Sequence, residues 1–238
     1  MRLTTITKHL LLLNVLFWFA DLVLRRYGIV LYELLGLHYL TAGNFHFFQP
    51  LTYMFMHANF THLFCNRFAV LMFGPALEEQ WGSKKFLLYY LVSGIGAAIT
   101  QEVVWALQLQ HVVSAFGENY AATLAPQMVT IGASGAVFGI LLAFGWLFPD
   151  VRMFLLFLPI PIRARTFVLI YAAIELFAGI ASVSGDNVAH FAHLGGMLFG
   201  LILLLIWNRH DLHNPFRRHS DDSDEESNDR RWHYQPRV

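Results

Sequence analysis

The sequence predicts an all-α, polytopic membrane protein built as a bundle of six transmembrane helices. Three observations lead there. Of the 238 residues, 56% are hydrophobic and only 13% charged, where a soluble chain carries about 25% charged residues. The mean hydropathy is +0.49, with 22 phenylalanines. The apolar residues are also gathered into several long uncharged runs, of the length a helix needs to cross a bilayer, rather than alternating with polar ones.

The first run, Leu10 to Leu24, follows a short polar stretch and stops at Arg25-Arg26. It is longer than the apolar part of a signal peptide and has no small-residue cleavage site after Ala20-Asp21, so it reads as a retained first span. Tyr27 to Pro50 is broken by Gly28, Gly36 and Gly43 and rich in aromatics and histidines (Tyr32, His38, Tyr39, Phe45, His46, Phe47, Phe48). That composition suits a structured loop at the non-cytoplasmic interface. Leu51 to Leu77 is the second span, followed by a polar hairpin from Glu78 to Lys85. Phe86 to Trp105 is the third, with Ser93, Gly94, Gly96, Ala97 and Ala98 available for close helix contact. Ala106 to Met128 reads as a polar loop, and Gly132 to Phe148 as the fourth span. Val151 to Arg165, cut by Pro159 and Pro161, reads as a loop and re-entry segment. Thr166 to Val183 and Val188 to Trp207 are the fifth and sixth spans.

Six spans leave both termini on one side. Arg2, Lys8, Lys84, Lys85, Arg152, Arg163, Arg165 and Arg209 fall on that face, against Arg25 and Arg26 on the other, which makes it cytoplasmic. Residues 1–207 form the membrane domain. Residues 208–238 form a charged appendage, with an acidic block at Asp221 to Glu226 between arginine pairs, a pattern of disordered cytoplasmic tails. Net charge is zero and the basic residues form no patch, which argues against nucleic acid as a partner. Cys65, the one cysteine, lies within an apolar run and reads as a small buried packing residue.

Ionisable and strongly polar residues are costly inside a membrane, so each is a candidate for function. In the second span Asn66 follows His62 by four residues and shares its face, with His57 a turn and a half nearer the entrance. The sixth span opens with His190 and His193, one turn apart. Ser134 opens the fourth span within Gly132-Ala-Ser-Gly135. Gly135 and Gly139 on the fourth span, and Gly196 and Gly200 on the sixth, form small-residue seams that let two backbones approach. Gly200 lies seven residues after His193, near the same face, so His193 points along its seam. If the seams meet, His193 reaches Ser134 and can take its proton, with His190 as second choice for the base. Backbone amides at the start of the fourth helix would face a developing oxyanion, with Asn66 and His62 adding side-chain donors. No carboxylate occupies an obvious third position: Glu175 reads as a structural hydrogen-bonding residue, and Glu102 and Asp186 have no assigned role.

Four stretches, in this order, resemble the rhomboid family of intramembrane serine proteases. They are His57-Ala-Asn-Phe-Thr-His62-Leu-Phe-Cys-Asn66, Glu78-Glu-Gln-Trp-Gly82, Gly132-Ala-Ser134-Gly135, and Ala192-His193-Leu-Gly-Gly196 with Gly200. The resemblance covers the chain from about His57 to Gly200. It implies a six-helix protease with a serine–histidine dyad in a water-filled cavity open to the extracytoplasmic side. By that resemblance Ser134 is the nucleophile and His193 the general base. His62 and Asn66 match the oxyanion-stabilising pair, with Gly132 beside them, and His57 matches a supporting histidine. Glu78 and Gly82 match a structural pair tying the hairpin. The substrates it implies are single-pass membrane proteins cut in or near their transmembrane helix, within the lipid bilayer and without a metal or organic cofactor.

Two positions depart from the family pattern. Phe48-Gln49 stands where Trp-Arg is frequent, and Phe138 stands one turn after the serine where Tyr is frequent. Three rival readings use the same polar residues. One is an inactive rhomboid-like protein that binds membrane clients, although such members usually lose the serine or histidine. A second is a zinc enzyme using His57, His62, His190 and His193, although the sequence has no His-Glu-x-x-His signature. The third is a haem carrier, which gives no reason for Gly132-Ala-Ser-Gly135. The six-span plan without a targeting extension leads to the expectation of a bacterial inner membrane. Substrate identity, pathway and oligomeric state are not legible.

Overall fold

A computed structural model describes residues 3–155, 158–181 and 189–212. The expected ends of the fifth and sixth spans at Val183 and Val188, Asp186, and the part of the expected 208–238 tail beyond Leu212 lie outside the described residues, while residues 208–212 continue the last helix. Six helices of fourteen residues or more make up most of the described chain: α1 (Thr5–Leu24), α4 (Phe60–Trp81), α5 (Ser83–Phe116), α7 (Ser134–Leu147), α8 (Ala164–Ala181) and α9 (His190–Leu212). Between them lie the short helices α2 (Leu31–Leu35), α3 (Gln49–Thr52) and α6 (Glu118–Leu124), and the strands β1 (Leu37–His38), β2 (Val129–Thr130), β3 (Arg152–Leu155) and β4 (Leu158–Arg163). Four of the long helices, α1, α5, α8 and the start of α9, are long and apolar enough to cross a membrane. Residues up to Leu201 form one compact unit; from Ile202 the chain continues α9 to Leu212 as a second.

The architecture is the expected helical membrane bundle, with four differences from what the sequence predicts. The second long helix starts at Phe60 rather than Leu51, because Asn59 caps it by accepting the His62 N–H at 2.9 Å. Residues 49–55 form α3 and a single 3-10 turn instead. Helix α5 does not stop at Trp105: it runs 34 residues to Phe116, about 50 Å at 1.5 Å per residue. The segment 106–116 is rich in good helix formers (Ala, Leu, Gln), so it propagates helix beyond the thickness of a bilayer core, and hydropathy alone does not reveal it. Within 151–165, residues 152–155 and 158–163 pair as antiparallel strands, with Arg152 opposite Arg163 and Phe154 opposite Pro161. The prolines sit on a two-stranded ribbon, where strand edges tolerate them. Finally, Cys65 is exposed on the outer face of α4. The buried face carries Leu63, Asn66, Arg67 and Val70, and Cys65 falls outside that stripe.

Helix α7 is the centre of the bundle. Nine of its fourteen residues are buried, and it packs against α4, α5 and α8. At 14 residues it is about 21 Å long, short of the roughly 30 Å hydrocarbon thickness. Longer helices pack against it, and Ser134, half-buried, stands at its first position.

Two devices orient the helices around it. Glu78, buried near the end of α4, accepts the Ile6 and Thr7 backbone N–H groups at 2.8 Å each and the Thr4, Thr7 and Ser83 hydroxyls. One carboxylate thus caps α1 and bridges the turn to α5; Gly82, at φ +76°, provides that turn. At the other end, the loop before α4 is closed onto the approach to α7. Leu37 and His38 of β1 pair with Thr130 and Val129 of β2, and the Tyr53 carbonyl accepts from the Gly132 N–H at 2.9 Å.

Candidate active site

Ser134 and His193 meet between α7 and α9. The serine hydroxyl lies 2.8 Å from His193 Nε2. The contact follows from glycine. A Cβ on Gly196 would collide with the Gly135 backbone, so the two helices touch main chain to main chain next to the pair. Gly139 faces Ser93 of α5 and the Gly196 carbonyl. Gly200 does not lie on this seam as expected: it abuts Tyr89 and Ser93 of α5. The second pair of small residues therefore serves a three-helix junction of α5, α7 and α9. Tyr89 closes it by donating its hydroxyl to the Gly139 carbonyl at 3.0 Å.

His193 is buried, and its imidazole stacks on Phe138, with centroids 4.4 Å apart and planes 9° from parallel. The aromatic at this position therefore supplies a flat wall with no need of a hydroxyl. Phe138 in turn belongs to a cluster with Leu141, Val168 and Met197, joined by Tyr171 and Leu194.

Glu175, read from the sequence as a structural hydrogen-bonding residue only, is buried on α8 beside both histidines. Its Oε2 lies 2.8 Å from His193 Nδ1 and 2.7 Å from His190 Nδ1. His190 thus bonds the carboxylate while His193 alone of the two bonds the serine. A signal for Glu175 was available: an acidic residue in the middle of an apolar span is expensive unless it is used.

Of the expected oxyanion group, His62 comes closest. A Cβ on Gly132 would lie 2.7 Å from His62 Cε1 and Nε2 and 3.6 Å from the Ser134 hydroxyl. Gly132 has φ +131°, a conformation other residues rarely adopt, so glycine here admits both the loop geometry and the imidazole. Asn66 is buried, and its side-chain amide donates to the His62 carbonyl at 2.8 Å, a bond within its own helix. His57 is buried edge-on against His62, with centroids 5.1 Å apart. The first intrahelical bond at the start of α7 runs from the Val137 N–H to the Ala133 carbonyl, so the preceding first-turn N–H groups lie at an unpaired, positive helix end.

The departure at Phe48-Gln49 is occupied by a fully buried Gln49. Its amide donates to the Leu34 and Asn44 carbonyls, each at 3.1 Å, and accepts from the His38 N–H. A neutral side chain therefore ties the loop from three sides. Glu102 fastens the same loop to α5 by accepting the Leu40 N–H at 2.9 Å. Arg67, which the sequence reading passed over, is buried and donates to the Leu10 carbonyl of α1 at 3.2 Å.

The four histidines weighed as zinc ligands do not converge as a set. Among the described residues, the metal-ligand spacing instead occurs at Glu175, His190 and His193, whose ligand atoms lie within 4.8 Å of one another. The same atoms are engaged in the hydrogen bonds just described.

The fold and this buried polar line define a class: a multi-pass integral membrane protein with polar groups gathered at the start of a short central helix. The Rhomboid domain family model matches residues 44–210, most of the chain, and the chain belongs to the rhomboid family. YdcA of Bacillus subtilis (strain 168), provisionally named a rhomboid protease, is 29% identical over 203 residues, 85% of this chain and 88% of its own. Rhomboid protease AarA of Providencia stuartii is 26% identical, covering 85% of this chain and 72% of its own. Rhomboid protein 1, mitochondrial, of Saccharomyces cerevisiae is 30% identical over 62% of this chain but only 38% of its own.

Proposed function

We propose that the chain is an intramembrane serine endopeptidase that cuts membrane proteins in or near a transmembrane segment, using Ser134 as nucleophile and His193 as base. The observation that carries this reading is the 2.8 Å contact between the Ser134 hydroxyl and His193 Nε2 at the start of a short, buried helix. A serine hydroxyl becomes nucleophilic when a neighbour removes its proton, and an imidazole nitrogen at that distance is positioned to do so. The unpaired amides at the start of α7 and the nearby His62 imidazole supply the donors that acyl transfer needs for the oxyanion. Two of the relatives carry the name of rhomboid protease, which supports hydrolysis of a peptide bond.

Six spans, with α4 and α7 completing the four apolar helices, and cytoplasmic termini agree with the distribution of basic residues. The membrane in question is a bacterial inner membrane in this reading. The test is labelling of the purified protein with a fluorophosphonate, together with cleavage of a model transmembrane substrate. Ser134→Ala should abolish both. Cleavage retained in Ser134→Ala refutes the serine mechanism and leaves the metal reading, whereas wild type that neither labels nor cleaves leaves the client-binding one.

A further inference from the structure

We propose that Glu175 is a positioning residue for the Ser134–His193 pair, so that the site works as a serine–histidine–glutamate line rather than a dyad. This inference rests on the protease reading above. His193 lies on α9 between two helices, with Nε2 toward Ser134 of α7 and Nδ1 toward Glu175 of α8. A neutral imidazole carries one proton, and only the tautomer protonated on Nδ1 leaves a lone pair on Nε2 to accept from a hydroxyl. A carboxylate oxygen 2.8 Å from Nδ1 accepts that proton's hydrogen bond and so selects the tautomer that a base requires. It also pins the ring in its plane, together with the parallel face of Phe138.

His190 completes the arrangement. Its Nδ1 reaches the same Glu175 oxygen at 2.7 Å. Two imidazole N–H donors converging on one oxygen need an acceptor there, which a carboxylate provides. They also offset the cost of burying that oxygen, since Glu175 is only 7% exposed. An acidic side chain so placed within an apolar helix is bonded by imidazoles of α9 at one oxygen, the arrangement of a catalytic line.

The reaction then balances without any further reagent. As the Ser134 Oγ–carbon bond forms, the hydroxyl proton passes to His193 Nε2, and the carbonyl π pair moves to the oxygen. The imidazolium produced lies against the Glu175 carboxylate, which remains ionised and takes no proton. When the intermediate collapses, the oxygen pair re-forms the C=O bond. The C–N bond breaks with its pair on nitrogen, and the Nε2 proton goes to the leaving amine. Water attacks the acyl-enzyme by the same route, with His193 again as base.

The experiment compares wild type, Glu175→Gln, Glu175→Asp and Ser134→Ala in detergent micelles. Active sites are counted by fluorophosphonate titration carried to completion, and kcat and KM are measured on one transmembrane substrate per titrated site. A glutamine can offer its amide NH2 to Nδ1 and favour the wrong tautomer, so Glu175→Gln should lower kcat per site at least about tenfold with KM unchanged. Glu175→Asp, which keeps the charge, should recover part of that loss. A helix-anchoring role would instead reduce the number of titratable sites and leave kcat per site intact in both variants, which overturns the proposal. So would loss of wild-type activity on adding a chelator with recovery on adding zinc, since Glu175, His190 and His193 would then be metal ligands. Wild type that titrates at Ser134, with Glu175→Gln equal to it, rejects the Glu175 role and leaves the dyad standing. Cleavage by Ser134→Ala rejects both.

Discussion

The Phe138 ring lies parallel to the His193 imidazole, with centroids 4.4 Å apart and planes within 9°. Both residues are buried, and the ring is itself held by Leu141, Val168 and Met197. The stack fixes the plane of the imidazole, while the hydrogen bonds at its two nitrogens fix its rotation within that plane. An aromatic pair of this kind contributes about 0.5–1.5 kcal/mol. Phe138→Leu should therefore lower kcat roughly three- to tenfold while still allowing fluorophosphonate labelling of Ser134. Phe138→Tyr, which keeps the flat surface, should stay near wild type. A Phe138→Leu variant with unchanged turnover would mean that the stack does not orient the base.

The two histidines of α9 separate cleanly by their partners. His193 contacts Ser134, Glu175 and Phe138, whereas the contacts of His190 include Glu175 and the edge of the His193 ring, with centroids 6.3 Å apart. His193→Ala removes the proton acceptor and should reduce cleavage by at least about a hundredfold. His190→Ala removes a donor to Glu175 and should keep activity within about tenfold of wild type. Initial rates of substrate cleavage by the two purified variants decide the matter. The opposite ranking would assign the base to His190.

Helix contact at the site depends on Gly196 more than on Gly200. A methyl group on Gly196 would run into the Gly135 backbone, which cannot yield without moving α9 from α7. On Gly200 it would meet the Tyr89 hydroxyl and Ser93, side-chain atoms of α5. Overpacking of this kind costs about 1–3 kcal/mol. Gly196→Ala should lower both the melting temperature and kcat per titrated site. Gly200→Ala should lower the melting temperature and leave kcat per site close to wild type. Full turnover in Gly196→Ala would show that Ser134 and His193 find each other without that backbone contact.

Features carried by short-range sequence were legible, and features carried by pairing between distant segments were not. Gly132-Ala-Ser134-Gly135 and the one-turn spacing of His190 and His193 announce themselves locally, as does the high apolar content of the bundle. Glu175 gains its meaning only when α8 brings it against a histidine 18 residues later, and nothing in its own apolar surroundings names that partner. The reach of α5 to Phe116 was hidden because helix propensity continues where hydropathy fades. Gly200 was assigned to the wrong neighbour because a shared helix face does not say which helix covers it one turn beyond Gly196, and there the neighbour is α5. Gln49 looked like a loss relative to the family pattern; three hydrogen bonds from one buried amide show another way to hold the same loop.

Glu78 offers a test at the opposite end of the bundle, beyond the apolar part of α4. Burial by itself would raise its pKa, but the Ser83 and Thr4 hydroxyls and the Ile6 and Thr7 amides outweigh it and hold the carboxyl at about 2, below the ordinary 4.5. A carboxyl lowered on folding stabilises the native state above its unfolded pKa, and that contribution is lost as pH falls through the folded value. The window here runs from about 4.5 down to about 2. Glu78→Gln keeps the shape but loses the charge that favours the first-turn amides of α1, and should cost about 2 kcal/mol at neutral pH. The difference in melting temperature between wild type and Glu78→Gln should therefore be largest near neutrality and shrink as pH is lowered from 4.5 toward 2. Because both proteins share every other titrating group, their difference isolates this one. A gap that stays constant across that range would show that the carboxylate charge contributes nothing to docking α1 on α4.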